Sequence, residues 1–423
     1  MDKIYIQGGH RLSGDMTVHG AKNSALPLLV ATLLTGGVTE LHNCPSLSDV
    51  EATLAILRHL GCRASHEDDV VTVDATAMSC AAIPDRLMRE MRSSILFLGA
   101  IIARCGWADM TYPGGCELGP RPIDLHLSAL RRLGVHIEEA YGHIRCRVDG
   151  RLQGAEITLA FPSVGATENI LLAACTAEGV TILRNAAREP EIRDLCGYLN
   201  ACGARITETA DGVLHIEGVR RLHGCAYTVL PDRIEAATYL AAAAATGGTV
   251  TLNRCEPTQV APVFPTLEES GCHITVTSNS IRLDAPSRLR PMGTVRTMPY
   301  PGFPTDAAAP LLAAACVADG TSVFVESIFA NRYNYVDELV RMGANIRVDG
   351  RVAVVEGVRS LQGAQVTCTD LRGGAAVVIA GLAAEGETVI GELSHLDRGY
   401  AQLTENLRAM GASIRRSDAD NLS

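Results

Sequence analysis

Aromatic side chains are scarce: 4% of 423 residues, with a single Trp. A core with so few rings must be built from Ala, Leu, Val and Ile. No run of about 18 apolar residues occurs, which excludes a membrane-spanning helix. The richest stretch, Leu240–Ala245, is short and mostly Ala. The opening residues Met1–Ile6 contain no apolar signal core, so cytoplasmic residence is the expectation. Positive charge is in deficit: 37 Lys and Arg stand against 47 Asp and Glu, a net charge of −10. That balance argues against a nucleic-acid or membrane partner, while leaving room for a local basic cleft. C-x-x-C pairs are absent despite 14 cysteines, the closest two being Cys196 and Cys202. A zinc or iron–sulfur centre is therefore not expected. Cys175 and Cys316 sit in Ala-rich runs, and Cys62 and Cys272 follow a turn glycine; these read as small buried hydrophobes.

What is present is repetition. An apolar helix end followed by glycine recurs at Gly61, Gly134, Gly203, Gly271, Gly343 and Gly411, spaced 73, 69, 68, 72 and 68 residues apart. Glycine there suits the left-handed position that closes a helix. An Ala/Leu-rich segment, then glycine, then a β-branched strand also appears once per unit, as in Leu171–Leu183, Leu240–Leu252, Leu311–Phe324 and Val378–Ile390. Helices apolar nearly all round are buried, so the surrounding strands should face solvent on one side. Six units of about 70 residues predict an α/β chain of two domains, three units in each.

A short polar turn precedes each buried helix: Lys22-Asn23-Ser24, Arg92-Ser93-Ser94, Ser163-Val164-Gly165, Asp232-Arg233, Thr305-Asp306 and Asp370-Leu371-Arg372. Helix N-termini attract anions through free N–H groups and the helix dipole. N-capping accounts for Ser, Thr and Asp at such places, but not for Lys22, Arg92 or Arg372. If the two domains face each other through these ends, a multiply charged anion is the expected ligand.

Several of these segments resemble a known family. Gly20-Ala21-Lys22-Asn23-Ser24-Ala25-Leu26-Pro27 is similar to the N-terminal signature of the UDP-N-acetylglucosamine 1-carboxyvinyltransferases, in the EPSP synthase family. The loop Pro113–His126, with Cys116 and Arg121, resembles their catalytic loop. Further matches run in order through Asn185–Ile192, Leu230–Glu235, Pro301–Asp306, Ile328–Arg332, Asp370–Arg372 and Asp397–Tyr400. The resemblance implies a two-domain inside-out α/β barrel, each domain made of three βαβαββ-type units around buried parallel helices. It places residues 22–229 in the domain carrying Cys116, and residues 1–21 with 230–423 in the second.

The family transfers the enolpyruvyl group of phosphoenolpyruvate to the 3-hydroxyl of UDP-N-acetylglucosamine, releasing phosphate through a tetrahedral ketal. This is the committed step of peptidoglycan synthesis. By resemblance, Lys22, Asn23, Arg121, Arg332, Arg372 and Arg398 bind phosphoenolpyruvate, with Lys22 also counted as catalytic beside Cys116 and Asp306; Arg suits this, gripping carboxylate or phosphate with two charge-assisted bonds. Cys116 matches the general acid that protonates C3, and a nearby cation would favour its thiolate. In the family this thiol also forms a covalent adduct with phosphoenolpyruvate and is alkylated by fosfomycin. Asp306 matches the base that accepts the sugar's proton. Asn23, Arg92, Arg121, Pro122, Ile123, Asp124, Leu125, Ser163, Val164, Gly165, Asp306 and Ile328 match positions that hold the UDP-sugar. No metal or organic cofactor is implied, and a monomer is expected.

The chain departs from some relatives. Phe161-Pro162 replaces a Lys-Val pair, removing one diphosphate cation, and Pro120 stands where Ala is common. Gly373-Gly374 is expected to loosen the helix start after Arg372. Two other readings compete: 3-phosphoshikimate 1-carboxyvinyltransferase, which lacks the cysteine loop and carries Ser-Lys-Ser near Lys22, and an inactive regulator that binds a UDP-sugar.

Overall fold

The computed structural model describes residues 2–114 and 123–417. Cys116, Arg121 and Pro122, all assigned roles above, lie outside the described residues. The six recurring glycines each take a left-handed conformation, with φ of +97, +91, +99, +98, +93 and +91° in chain order. Each ends an outer helix and turns the chain into a strand, as the 70-residue period predicts.

One repeat shows the plan of all six. Strand Glu156–Thr158 leads into the buried helix Val164–Ala174, then strand Val180–Arg184, the outer helix Pro190–Ala201 and the hairpin Arg205–Glu208 with Leu214–Glu217. The first two strands pair in parallel, Ile157 opposite Leu183, and the hairpin strands add in antiparallel order. Six four-stranded sheets share this order. Alternating burial along the strands, as in Val180–Arg184, leaves one face of each sheet on the core and one outward.

The chain separates into two compact units, one drawn from the described residues of Met1–His19 and Pro231–Ser423, the other from those of Gly20–Cys116 and Pro120–Leu230. Two strands cross over in sequence to make this division. Ser13–Thr17 pairs with Thr249–Asn253, flanking helix Arg233–Thr246, while Ala226–Thr228 pairs with Val38–His42, flanking helix Lys22–Ala31. The first strand, Lys3–Gln7, closes the last repeat between Glu387–Gly391 and Ser413–Ser417.

In the first unit the Ala-rich helices Arg233–Thr246, Thr305–Ala315 and Leu371–Ala383 pack on one another in pairs. Their small side chains let three backbones approach, so the core needs few aromatics, Tyr239, Phe324 and Tyr335 among them. In the second unit helix Phe97–Cys105 packs on both Lys22–Ala31 and Val164–Ala174. A Cβ at Gly99 would lie 2.5 Å from the Asn169 carbonyl oxygen, so only glycine permits this crossing. Gly99→Val is expected to destabilise the protein by about 1–3 kcal/mol through overpacking, read as a lower denaturant midpoint at unchanged slope. An unaltered midpoint would show that the helices can part at little cost.

Candidate active site

The polar turns sit where their spacing predicts, at the N-terminal ends of the buried helices. Ser163, Asp232 and Asp370 are true caps: Ser163 accepts from the Ala166 N–H at 3.4 Å, Asp232 from Ile234 and Glu235, and Asp370 from Arg372 and Gly373. Capping thus accounts for these three and leaves the cations to be explained. The Gly373-Gly374 pair does not loosen its helix. A Cβ at Gly373 would lie 2.6 Å from Tyr335 Cβ, and one at Gly374 3.0 Å from Cys368 Sγ. Both glycines make room for close packing, and the Asp370 cap holds the turn.

In the first unit Asp306, on the opening turn of helix Thr305–Ala315, lies between two buried arginines. Arg332 Nη2 donates to Asp306 Oδ1 at 2.8 Å and to the Thr305 carbonyl at 3.1 Å; Arg372 Nη2 donates to Asp306 Oδ2 at 3.2 Å. The arginine side chains are 2% and 4% exposed, the carboxylate 27%. Burying guanidinium groups is costly unless anions answer them, and Asp306 supplies only one charge for two. Nε of Arg332 and both Nε and Nη1 of Arg372 are buried without a hydrogen bond of good geometry. Tyr400 lies beside Arg372, whose Cζ is 5.3 Å from the ring centroid, and its hydroxyl meets Thr238 Oγ1 at 2.9 Å. The arrangement is a cationic cradle with donors to spare, held by a carboxylate that an incoming anion could displace.

Glu326 organises the rim of this cradle. Its Oε1 accepts from the Ile328 and Phe329 N–H groups at 2.6 and 3.0 Å, and its Oε2 from Thr305 Oγ1 at 2.8 Å. It therefore ties the Ile328 turn to the helix start that carries Asp306. The sequence reading did not single out Glu326, because its role depends on Thr305, 21 residues away. Arg398 ends the short 3-10 helix Leu393–Arg398 and is half-buried.

In the second unit Lys22 opens helix Lys22–Ala31 and is 7% exposed, with its Nζ 2.6 Å from Asp49 Oδ2. Asp49 belongs to the outer helix Ser48–His59; the sequence reading missed it. Asn23 follows Lys22, half-buried. Arg92 opens the segment Arg92–Leu96 ahead of helix Phe97–Cys105. Ile123, Asp124 and Leu125 form the start of helix Asp124–Arg132, and Val164 and Gly165 the start of Val164–Ala174. Phe161, expected to replace a cation, is 44% exposed.

Residues 6–407 match the family described as EPSP synthase (3-phosphoshikimate 1-carboxyvinyltransferase). The chain belongs to the EPSP synthase family. UDP-N-acetylglucosamine 1-carboxyvinyltransferase 2 of Caldanaerobacter subterraneus is 51% identical over 98% of this chain and the whole of that protein. UDP-N-acetylglucosamine 1-carboxyvinyltransferase 1 of Symbiobacterium thermophilum is 49% identical, covering 98% of this chain and 95% of that protein. Among solved structures, the enolpyruvyl transferase NikO from Streptomyces tendae superposes with a TM-score of 0.89 at 26% identity, over 98% of this chain and 99% of that one. EPSP synthase from Acinetobacter baumannii gives 0.75 at 20% identity, over 99% and 100%, a likeness of fold. The inside-out α/β architecture is thus the family's, with helices inside and sheets outside.

His126 is a residue of this family member that the sequence reading left without a role. Asn169 Oδ1 accepts from the Gly99 N–H at 2.6 Å, which identifies Nδ2 as the donor to the Ile95 carbonyl and to His126 Nδ1, at 2.9 and 2.8 Å. The imidazole is then neutral with its proton on Nε2. The ring packs on Gly165, where a Cβ would lie 3.0 Å from Cε1. His126 and Asn169 therefore link the starts of three helices carrying Arg92, Asp124 and Ser163. Burial, and secondarily the Arg92 charge, push His126 down to about 4. An unfolded histidine near 6.5 takes up a proton that the folded one refuses, so stability is lost as pH falls from 6.5 through 4. The loss should reach about 3 kcal/mol. His126→Gln should flatten that part of the stability–pH curve; an unchanged slope would remove His126 as its source.

Proposed function

We propose that this protein is a UDP-N-acetylglucosamine 1-carboxyvinyltransferase. It transfers the enolpyruvyl group of phosphoenolpyruvate to the sugar 3-hydroxyl and releases phosphate, the committed step of peptidoglycan synthesis. The observation that carries the reading is the Asp306 carboxylate held by two buried arginines with N–H groups still unanswered. A carboxylate for the proton and a paired cationic grip for a small dianion are what the reaction requires. The names of relatives near 50% identity supply the acceptor sugar.

In this reading Lys22, Asn23, Arg121, Arg332, Arg372 and Arg398 grip phosphoenolpyruvate, and their charge also draws electrons from C2. Cys116 delivers the proton to C3. As phosphoenolpyruvate takes over the guanidinium groups, Asp306 is released to accept the sugar's proton. That proton leaves O3 as O3 bonds to C2, giving the tetrahedral ketal. Loss of a C3 proton and departure of phosphate then restore the vinyl group. Arg92, Arg121, Pro122, Ile123, Asp124, Leu125, Ser163, Val164, Gly165 and Ile328 orient the UDP-sugar. Helix N-termini suit its diphosphate. The scheme needs no cofactor beyond a transient phosphoenolpyruvate adduct on Cys116, and it suits a cytoplasmic monomer.

A phosphate-release assay tests the reading. Release with phosphoenolpyruvate plus UDP-N-acetylglucosamine, and none with shikimate 3-phosphate, is expected. Release with shikimate 3-phosphate alone would favour the sister reaction, and no release with either would favour a binding role.

A further inference from the structure

The C-terminal ends of the three buried helices in the second unit surround a cavity of about 730 Å³. It is lined by Leu34–Gly36 and Thr176, just past helices Lys22–Ala31 and Val164–Ala174, and by Ile102–Gly106, the last turn and cap of helix Phe97–Cys105. Four arginines also line it, Arg104, Arg151, Arg220 and Arg221, with no acidic side chain among them. None of the four is in an ion pair in the described structure, in a chain that is acidic as a whole.

Helix C-termini carry partial negative charge, so arginines there could serve only to neutralise it. One does part of that work, Arg151 at the end of helix Val164–Ala174, while Arg104 bonds a carbonyl just past strand Val70–Asp74. Arg151 Nη2 donates to the carbonyls of Thr176, Ala177 and Val219 at 2.9, 3.4 and 3.3 Å, and Arg104 Nη2 reaches the Ala75 carbonyl at 3.5 Å. The Arg104 guanidinium rests on Gly36, where a Cβ would come within 2.6 Å of Nη1. The charge does not balance, however. Three helix ends amount to about −1.5, leaving an excess of about +2.5 from four guanidiniums. Arg220 and Arg221 are exposed and make no side-chain hydrogen bond in the described structure. The volume falls within the range of about 300–1,000 Å³ typical of small-ligand sites.

We propose that this cavity is a second anion site, separate in the unit from the helix N-termini that carry Lys22, Arg92 and Ser163. It would take a ligand with two or more linked phosphates. Arg220 and Arg221 would grip the phosphates bidentately, with Arg104 and Arg151 as the fixed positive wall. Such a site could report nucleotide or polyphosphate levels without competing for the substrate residues.

Calorimetric titration of the full chain with tripolyphosphate, and separately with ADP, tests this at low salt. Saturable binding is expected, weakened at least ten-fold by R220S/R221S, unchanged in Lys22→Ala, and falling steeply with added salt. Binding of ADP but not tripolyphosphate would identify a nucleotide ligand within the same proposal. Arg221→Glu offers a second test, and it should abolish binding while phosphate release from the substrates stays normal. The proposal fails if no saturable binding occurs, as it would if the arginines only neutralise helix ends. It fails equally if binding survives R220S/R221S but is lost in Lys22→Ala.

Discussion

Asp306→Asn is expected to cut turnover by about 10²–10⁴-fold, the range for loss of a general base, while UDP-N-acetylglucosamine still binds. Asn has the same shape and can still accept from Arg332, so local geometry should survive. What disappears is the negative charge between Arg332 Nη2 at 2.8 Å and Arg372 Nη2 at 3.2 Å. Two effects follow. The sugar hydroxyl loses its proton acceptor, which lowers kcat. The arginines lose their internal counter-charge, so inorganic phosphate, competing for the same guanidiniums, should bind more tightly than to the unaltered enzyme. A purely structural role for Asp306 would weaken both substrate and phosphate binding together. Near-normal turnover would remove Asp306 from proton transfer.

Fosfomycin should add once to the protein, and Cys116→Ala should abolish the adduct in the intact mass. The thiolate is the reacting species, so the other cysteines matter as much as Cys116. Thirteen are free and described. Burial pushes Cys62 up to about 11 and Cys44, Cys175 and Cys316 to about 12. These thiols stay protonated and out of reach of an epoxide, consistent with their reading as small hydrophobes. Cys225 is half-buried, with its sulfur 3.4 Å from that of Cys202. An adduct on Cys116→Ala would show that another thiol reacts, and would dissociate Cys116 from the proton delivery proposed for it.

The repeat was legible because glycine at a left-handed helix end is a local requirement. The backbone there takes φ near +95°, which a side chain opposes, so the period survives in sequence. The buried helices were legible for a similar reason: a helix apolar on every side has nowhere to go but the interior. The caps Ser163, Asp232 and Asp370 act within three residues and could be read the same way.

What could not be read is whatever depends on residues meeting from distant parts of the chain. Asp49 answers Lys22 across 27 positions, Glu326 joins two turns, and Asn169 reaches His126 and Gly99 from a different repeat. Gly373 and Gly374 look like loosening residues until Tyr335 and Cys368 are seen against them. The sequence by itself determined the α/β class, the six units and the positions of the candidate cations. Only the tertiary structure decided that Asp306 is shared by two buried arginines, and that four more arginines line one cavity at the far ends of the helices. Backbone conformation is set by neighbours along the chain, whereas the partner of a charge is set by packing, and packing is not written in spacing.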